Sequence, residues 1–333
     1  MIHPYASITL PADMRPILLV VVDTEETFAW DKPFDRGETS VAAMGSIYKG
    51  QKIFTDFGIS PVYVVDYPIA DQEEGFLQLR EFVAAGQAVV GAHLHPWVSP
   101  PFNEKVNPYN SYPGNLTVEQ EEEKLRVLTK RITAAFGVSP QIYKAGRYGV
   151  GPNTAAILAK LGYKVDLSIA PPFNYKADGG PDFTKASNQP FWFGDDGELL
   201  EIPCSGSFVG SLSKYGNRLH PFINSPFLQQ LRLPGIMSRL GLLERIRLTP
   251  EGYDLADLKR LTDHLLTNGT KIFTLSFHSP SLSPGAIDYV QDDAALQRFL
   301  ATISGYLEYF LHTIGGESLT PLDIKQRLQK LKL

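Results

Sequence analysis

The chain of 333 residues contains a single cysteine, Cys204. One thiol excludes an intrachain disulfide, so nothing here calls for an oxidising compartment. Cys204 closes Leu199-Leu200-Glu201-Ile202-Pro203-Cys204, which reads as a strand and not as the setting of a nucleophile. Long apolar runs are missing as well. The run Ile17-Leu18-Leu19-Val20-Val21-Val22 is far too short to span a bilayer. It has no basic segment before it and no small-residue cleavage site after it, so it does not read as a signal peptide. The expected location is cytoplasmic, with an apolar patch at residues 227–243 that could touch a membrane surface. Positive charge is not in excess: the net charge of −5 argues against a nucleic-acid or anionic-membrane partner. There is no Gly-rich phosphate loop, since Gly146-Arg147-Tyr148-Gly149-Val150-Gly151 lacks the spacing and the Lys-Ser/Thr ending. Repeats and low-complexity tracts are absent too. What remains, 43% hydrophobic and 20% charged, describes a globular chain long enough to bury a sizeable core.

Against these absences stands Val89-Val90-Gly91-Ala92-His93-Leu94-His95-Pro96-Trp97. Its apolar start predicts a short buried strand that ends in two histidines. Side chains at i and i+2 share a face, roughly 6–7 Å apart at the backbone, so both imidazoles can converge on one cation. Pro96 then stops the strand. The same design recurs along the chain. The run over 17–22 leads into Asp23-Thr24-Glu25-Glu26, and strands over 61–66, 141–147, 164–169 and 271–278 end near Asp66, Lys144 and Arg147, Asp166, and His278. Helices are predicted between them: one ending near Phe57-Gly58, one over 73–85 closed by Gly86, one opened by a capping box at Thr117 and ended at Gly137, then 153–161, 255–268 and 292–312. Asp195-Asp196-Gly197 predicts a hairpin within 191–209, and residues 219–250 read as an irregular helical excursion.

Alternating strands and helices predict a parallel sheet with βαβ crossovers. Polar residues gather past the C-terminal ends of the strands. In a (β/α) barrel those ends form one rim, whereas an open doubly wound sheet would spread them along a crevice; many polar strand ends sharing one task favour the barrel. The expected domain plan is a lead-in over 1–15, one barrel domain over 16–313 with an insertion at about 170–250, and a helical tail over 314–333. Two imidazoles with carboxylates from another strand suit zinc or another divalent ion. Asp23 and Glu25 share a face if Thr24 is extended, so one can bind the ion and the other act as base. Aromatic residues after the first and third strands, Trp30 and Trp97 among them, offer stacking surfaces for sugar rings.

The ordered set Asp23-x-Glu25, Gly91-Ala92-His93-Leu94-His95, Tyr143-Lys144-Ala145-Gly146-Arg147, Asp166-Leu167-Ser168-Ile169 and Ser276-Phe277-His278 resembles the motifs of the polysaccharide deacetylases, the NodB-homology group, and within it the WalW-like proteins found with envelope-polysaccharide genes. The resemblance implies a distorted (β/α)7 barrel with long βα loops, a divalent metal, usually zinc, and hydrolysis of an N-acetyl group from a carbohydrate. It puts the general base on Asp23, metal ligands on Glu25 and His93, and the general acid on His278, with His95 the near substitute for the second metal histidine. Lys144 takes the place of the arginine that orients the base, with Arg147 a nearby cation. Trp30, Trp97, Tyr148 and Asp166 are expected to meet the sugar. Three positions depart from the pattern: Trp97 stands where a His-x-x-x-His spacing puts its second histidine, Asp-x-Glu replaces Asp-Asp, and Lys144 lacks arginine's bidentate fork. The rival readings are hydrolysis of another carbon–nitrogen bond, as in a cyclic or linear amide, and a carbohydrate-binding protein without turnover.

Overall fold

The computed structural model describes residues 4–28 and 32–331. Twelve strands are present among them: β1 (Ala6–Ser7), β2 (Ile17–Thr24), β3 (Val62–Val65), β4 (Val89–Leu94), β5 (Ile142–Ala145), β6 (Val165–Asp166), β7 (Phe191–Phe193), β8 (Leu199–Glu201), β9 (Gly206–Val209), β10 (Glu244–Arg247), β11 (Ile272–His278) and β12 (Glu317–Ser318). The main sheet runs β1-β7-β8-β6-β5-β4-β3-β2-β11, and the seven strands from β8 to β11 are parallel. The sheet curls into the expected α/β barrel of seven parallel strands, but its two edges, β8 and β11, share no ladder. Other hydrogen bonds bridge the seam instead. Thr274 donates its amide to Ser205 Oγ and its hydroxyl to the Pro203 carbonyl, both at 2.9 Å, and the Ser276 amide donates to Leu248 O at 3.1 Å.

Alternation along the strands sorts side chains to two sides. Ile17, Leu19 and Val21 of β2 join Val62, Val64, Ile142, Val165, Leu200 and Ile272 in the cluster enclosed by the curl. Leu18, Val20 and Val22 face outward, into a larger core with the surrounding helices. Those helices start and stop where local chemistry directs. Thr117 and Gln120 form the reciprocal capping box of the helix Val118–Phe136, which ends at Gly137 in the left-handed region. Inside the curl there is little room: a Cβ on Gly91 would meet the Ile142 carbonyl at 2.8 Å and Val64 at 2.9 Å.

Three parts differ from the sequence reading. The lead-in contains a strand, because β1 pairs antiparallel with β7. The hairpin β7–β8 forms across Asp195-Asp196-Gly197, yet β8 is also a full member of the parallel sheet, beside β6. The excursion at 219–250 contains β10, antiparallel to β9, where Ile246 and Leu248 alternate with charged neighbours. At the base of the barrel β12 pairs with the start of β2, and the helix Pro321–Lys330 buries Ile324 and Leu328 in the enclosed cluster.

Candidate active site

Continuing the alternation of β2 past its apolar residues brings Asp23 and then Glu25 to the inner side, at the barrel's upper mouth. The same parity places His93 and His95 from β4, Lys144 from β5 and His278 from β11 there. All six line one cavity of about 370 Å³.

The two imidazoles have fixed tautomers. His93 Nδ1 lies 2.8 Å from the Lys144 carbonyl, which can only accept, so Nδ1 carries the proton. His95 Nδ1 donates to the Glu26 carboxylate at 3.0 Å. Each Nε2 therefore presents a lone pair, and both face one oxygen, Glu25 Oε2, at 3.5 Å for His93 and 3.4 Å for His95. The three buried ligand atoms lie within 4.8 Å of one another. With both Nε2 atoms unprotonated, three acceptors face one another with no donor among them, and two imidazoles with one carboxylate are a set that catalytic zinc takes. The residues thus fit a divalent ion. Burial pushes the Glu25 carboxyl up, but the groups led by the charge of His278 outweigh it, and the net direction is down.

Behind this set lies a supporting layer. Asp66 caps the helix Tyr67–Asp71 through the Ile69 amide and accepts the Glu26 amide, each at 2.9 Å. Burial and mutual repulsion push both Glu26, to about 7, and Asp66 upward. The pair orients His95, and because His95 Nδ1 donates to Glu26 that nitrogen is not free to make Glu26, Asp66 and His95 a second ligand set. Trp97, 1% exposed, stacks on the His95 ring at 4.3 Å. Its body fixes the imidazole from behind and is out of reach of a sugar. Gly146 completes the fit, since a Cβ there would strike His95 Cδ2 at 2.5 Å.

Asp23 sits beside the ligand set and is gripped by Lys144, whose Nζ lies 2.7 Å from Oδ1 and 2.6 Å from Oδ2. Burial raises the Asp23 carboxyl, Lys144 and the nearby histidines lower it, and the balance falls below the usual carboxylate range. Burial likewise lowers the Lys144 ammonium, but the charge of Asp23 wins and holds it well above its ordinary value. Across the cavity His278 Nε2 is 3.8 Å from Asp23 Oδ2. Its Nδ1 donates to Glu251 at 2.8 Å. Burial alone would lower His278, but Glu251 and Glu25 raise it to about 10, so it is charged at neutral pH.

The remaining expected residues are distributed differently. Trp30 lies outside the described residues. Arg147, with φ 55°, pairs with Asp178 and Ser111 at the cavity edge and does not reach Asp23. Tyr148 lines the cavity, stacked on Tyr175 at 5.6 Å. Asp166 does not line it. Val165 and Leu167 take the inner side of that segment, so Asp166 turns outward and is fully buried beside Glu201. Sequence reading missed Glu251, Phe173, Tyr175 and Arg247. The Arg247 guanidinium lies over Phe173 at 4.0 Å and donates to Tyr148 Oη at 2.8 Å and Tyr175 Oη at 2.6 Å, making an aromatic wall with one fixed cation. The period-two pattern of Ile246 and Leu248 was a signal for β10 and hence for Arg247; the loop residues carry none.

No protein-family model matches the chain, and no curated protein does. Among solved structures the fold is that of the polysaccharide deacetylases. One similar structure is a provisionally named polysaccharide deacetylase from Mycobacterium smegmatis, 16% identical over 100% of this chain and 96% of that one, with a TM-score of 0.54. Another is the allantoinase Puue, 16% identical over 95% of this chain and 91% of that one, with a TM-score of 0.51.

Proposed function

We propose that the protein is a metal-dependent hydrolase that removes an N-acetyl group from a carbohydrate, in the manner of the WalW-like deacetylases of envelope-polysaccharide synthesis. One observation carries the reading: two imidazole lone pairs and the Glu25 carboxylate converge beside an ionised Asp23 and opposite a charged His278. Glu25, His93 and His95 would hold the ion, with zinc the first candidate. A divalent ion bound there supplies Lewis acidity, polarising the amide carbonyl and acidifying water. Asp23, kept ionised by Lys144, takes the proton of the attacking water. His278 gives its Nε2 proton to the departing nitrogen, while Glu251 holds the ring in place and stabilises its charge. A C–O bond forms, the C–N bond breaks, and acetate and a free amine leave. Tyr148, Tyr175 and Phe173 offer the sugar a flat wall. A cytoplasmic site of action belongs to this reading and rests on the single buried Cys204.

The experiment is acetate release from a panel of N-acetyl sugars by zinc-loaded protein. Activity is expected, falling on the order of 10²–10⁴-fold in Asp23→Asn and in His278→Gln while metal content is retained. Loss of metal in His278→Gln would make His278 a ligand and not the acid. A fully loaded protein that releases no acetate overturns the reading and leaves carbohydrate binding without turnover. The comparable likeness to an allantoinase favours a second reading, hydrolysis of a cyclic or linear amide on the same barrel. Amide and ureide substrates in the same panel separate the two.

A further inference from the structure

Between β9 and β10 the chain leaves the barrel for residues 210–243, which form three short helices, Gly216–Ile223, Pro226–Gln230 and Leu233–Arg239. One side of this excursion closes on a small cluster of Phe208, Ile223 and Leu243, with Leu219, Leu233 and Met237 packed against it. The side left to solvent carries large apolar residues among its polar ones. Phe222 and Phe227 are each 69% exposed, and Tyr215, Leu231, Ile236 and Leu240 are exposed as well. Scattered apolar residues on a surface need no explanation, but six large ones on one short segment do.

Charge singles out the same segment. The chain as a whole carries −5, yet residues 202–243 contain no aspartate or glutamate. Lys214, Arg218, Arg232 and Arg239 are all exposed there, with no carboxylate of their own segment to neutralise them. The acidity of the rest of the chain hides this local excess of four cations in the total.

We infer that this excursion docks the protein on an anionic lipid surface. The exposed phenylalanines and leucines enter the boundary between headgroups and acyl chains, and the four cations meet lipid phosphates. Charge complementarity selects this occupant. A protein face of mixed charge would leave part of the basic excess unanswered, whereas a bilayer rich in anionic headgroups answers all of it. The contact lies on the membrane, because no helix among the described residues is long and apolar enough to cross one. Its placement relative to the cavity is fixed by one ladder. The excursion leaves at the Val209–Glu244 end of β9 and β10, while Arg247, paired with Gly206 at the other end, lines the cavity. Four residues of strand separate the two ends, on the order of 10 Å. A docked protein thus holds its cavity close to the lipid surface.

The test is co-sedimentation of the full chain with sucrose-loaded vesicles of phosphatidylcholine, with and without phosphatidylglycerol. Binding is expected only with phosphatidylglycerol, and it weakens as salt is raised. Phe222→Ser together with Phe227→Ser, both at exposed positions, is expected to abolish it. Arg218→Gln together with Arg239→Gln is expected to weaken it on the order of 30-fold, about fivefold for each cation. Wild-type protein that stays in the supernatant overturns the proposal, as does binding that both double variants keep. A wild-type dimer in sedimentation velocity that Phe222→Ser with Phe227→Ser dissociates also overturns it, assigning the patch to a second copy of the chain. Vesicle binding is read without turnover, and the four positions lie outside the cavity, so this inference and the hydrolase reading fail separately.

Discussion

Asp23 and Asp166 lie near the C-terminal ends of two strands of the same curled sheet, β2 and β6, with three strands between them, and both are buried, 3% and 0% exposed. Their chemistry is opposite. Asp23 faces inward, onto the Lys144 ammonium, and is held ionised. Asp166 faces outward, beside Glu201; burial pushes it up to about 6, and Glu201 is pushed well above its ordinary value by burial and by the charge of Asp166. One oxygen of each of these two carboxyls has no hydrogen-bond partner in the protein. Burial raises both aspartates, so depth does not decide the sign; the partner does. Only the inward carboxylate faces the cavity.

The largest test of the contrast is Lys144→Met. It strips the partner from a buried carboxylate and should cost about 3–5 kcal/mol of stability, because an unpaired buried charge remains. Urea unfolding of the metal-free protein measures it, and an unchanged midpoint would mean that Lys144 does not hold the charge. The outward pair predicts the reverse. A carboxyl whose folded pKa is raised contributes fully below its unfolded value, and that contribution is lost as pH rises through the folded value. Wild type should therefore weaken between about pH 4 and pH 7, and Glu201→Gln should weaken less. The variant is expected to match wild type near pH 4 and exceed it by about 1–3 kcal/mol near pH 8, with activity unchanged. Equal pH slopes for the two proteins would show that the pair carries no extra proton. The smallest effect is expected at Glu251→Gln. Removing that carboxylate lowers the pKa of His278, so the alkaline limb of the rate profile moves toward neutrality, with a loss of about tenfold or less at the optimum. An alkaline limb that stays in place would separate Glu251 from the acid.

The inward side of this contrast was legible because β2, β4 and β11 are long enough to show which positions are apolar before the polar end arrives. Counting by twos from Ile17 reaches Asp23 and Glu25; counting from Ile272 reaches His278. Alternation was equally visible in Val165-Asp166-Leu167-Ser168, but β6 is only two residues long, and nothing local says which of its sides faces the cavity. Neighbouring strands decide that, and Asp166 went to the other side. Trp97 shows a related limit. Its place after the histidines suggested a sugar platform, whereas packing turned it under His95. Glu251, Phe173 and Tyr175 come from loops with no period, and they reach the cavity only once distant segments have folded.

The base of the barrel has a consequence in time. Every side chain proposed for the chemistry has been synthesised once His278 has, but β12 and the helix Pro321–Lys330 come later, and they pair with and cover the opening strand β2. Until they arrive, the lower ends of Ile17 and its neighbours have no floor. The nascent chain therefore carries every side chain of the proposed chemistry above an open, apolar underside, and closing it joins segments about 300 residues apart, the kind of distant pairing that folds slowly and leaves an intermediate prone to stick to its own copies.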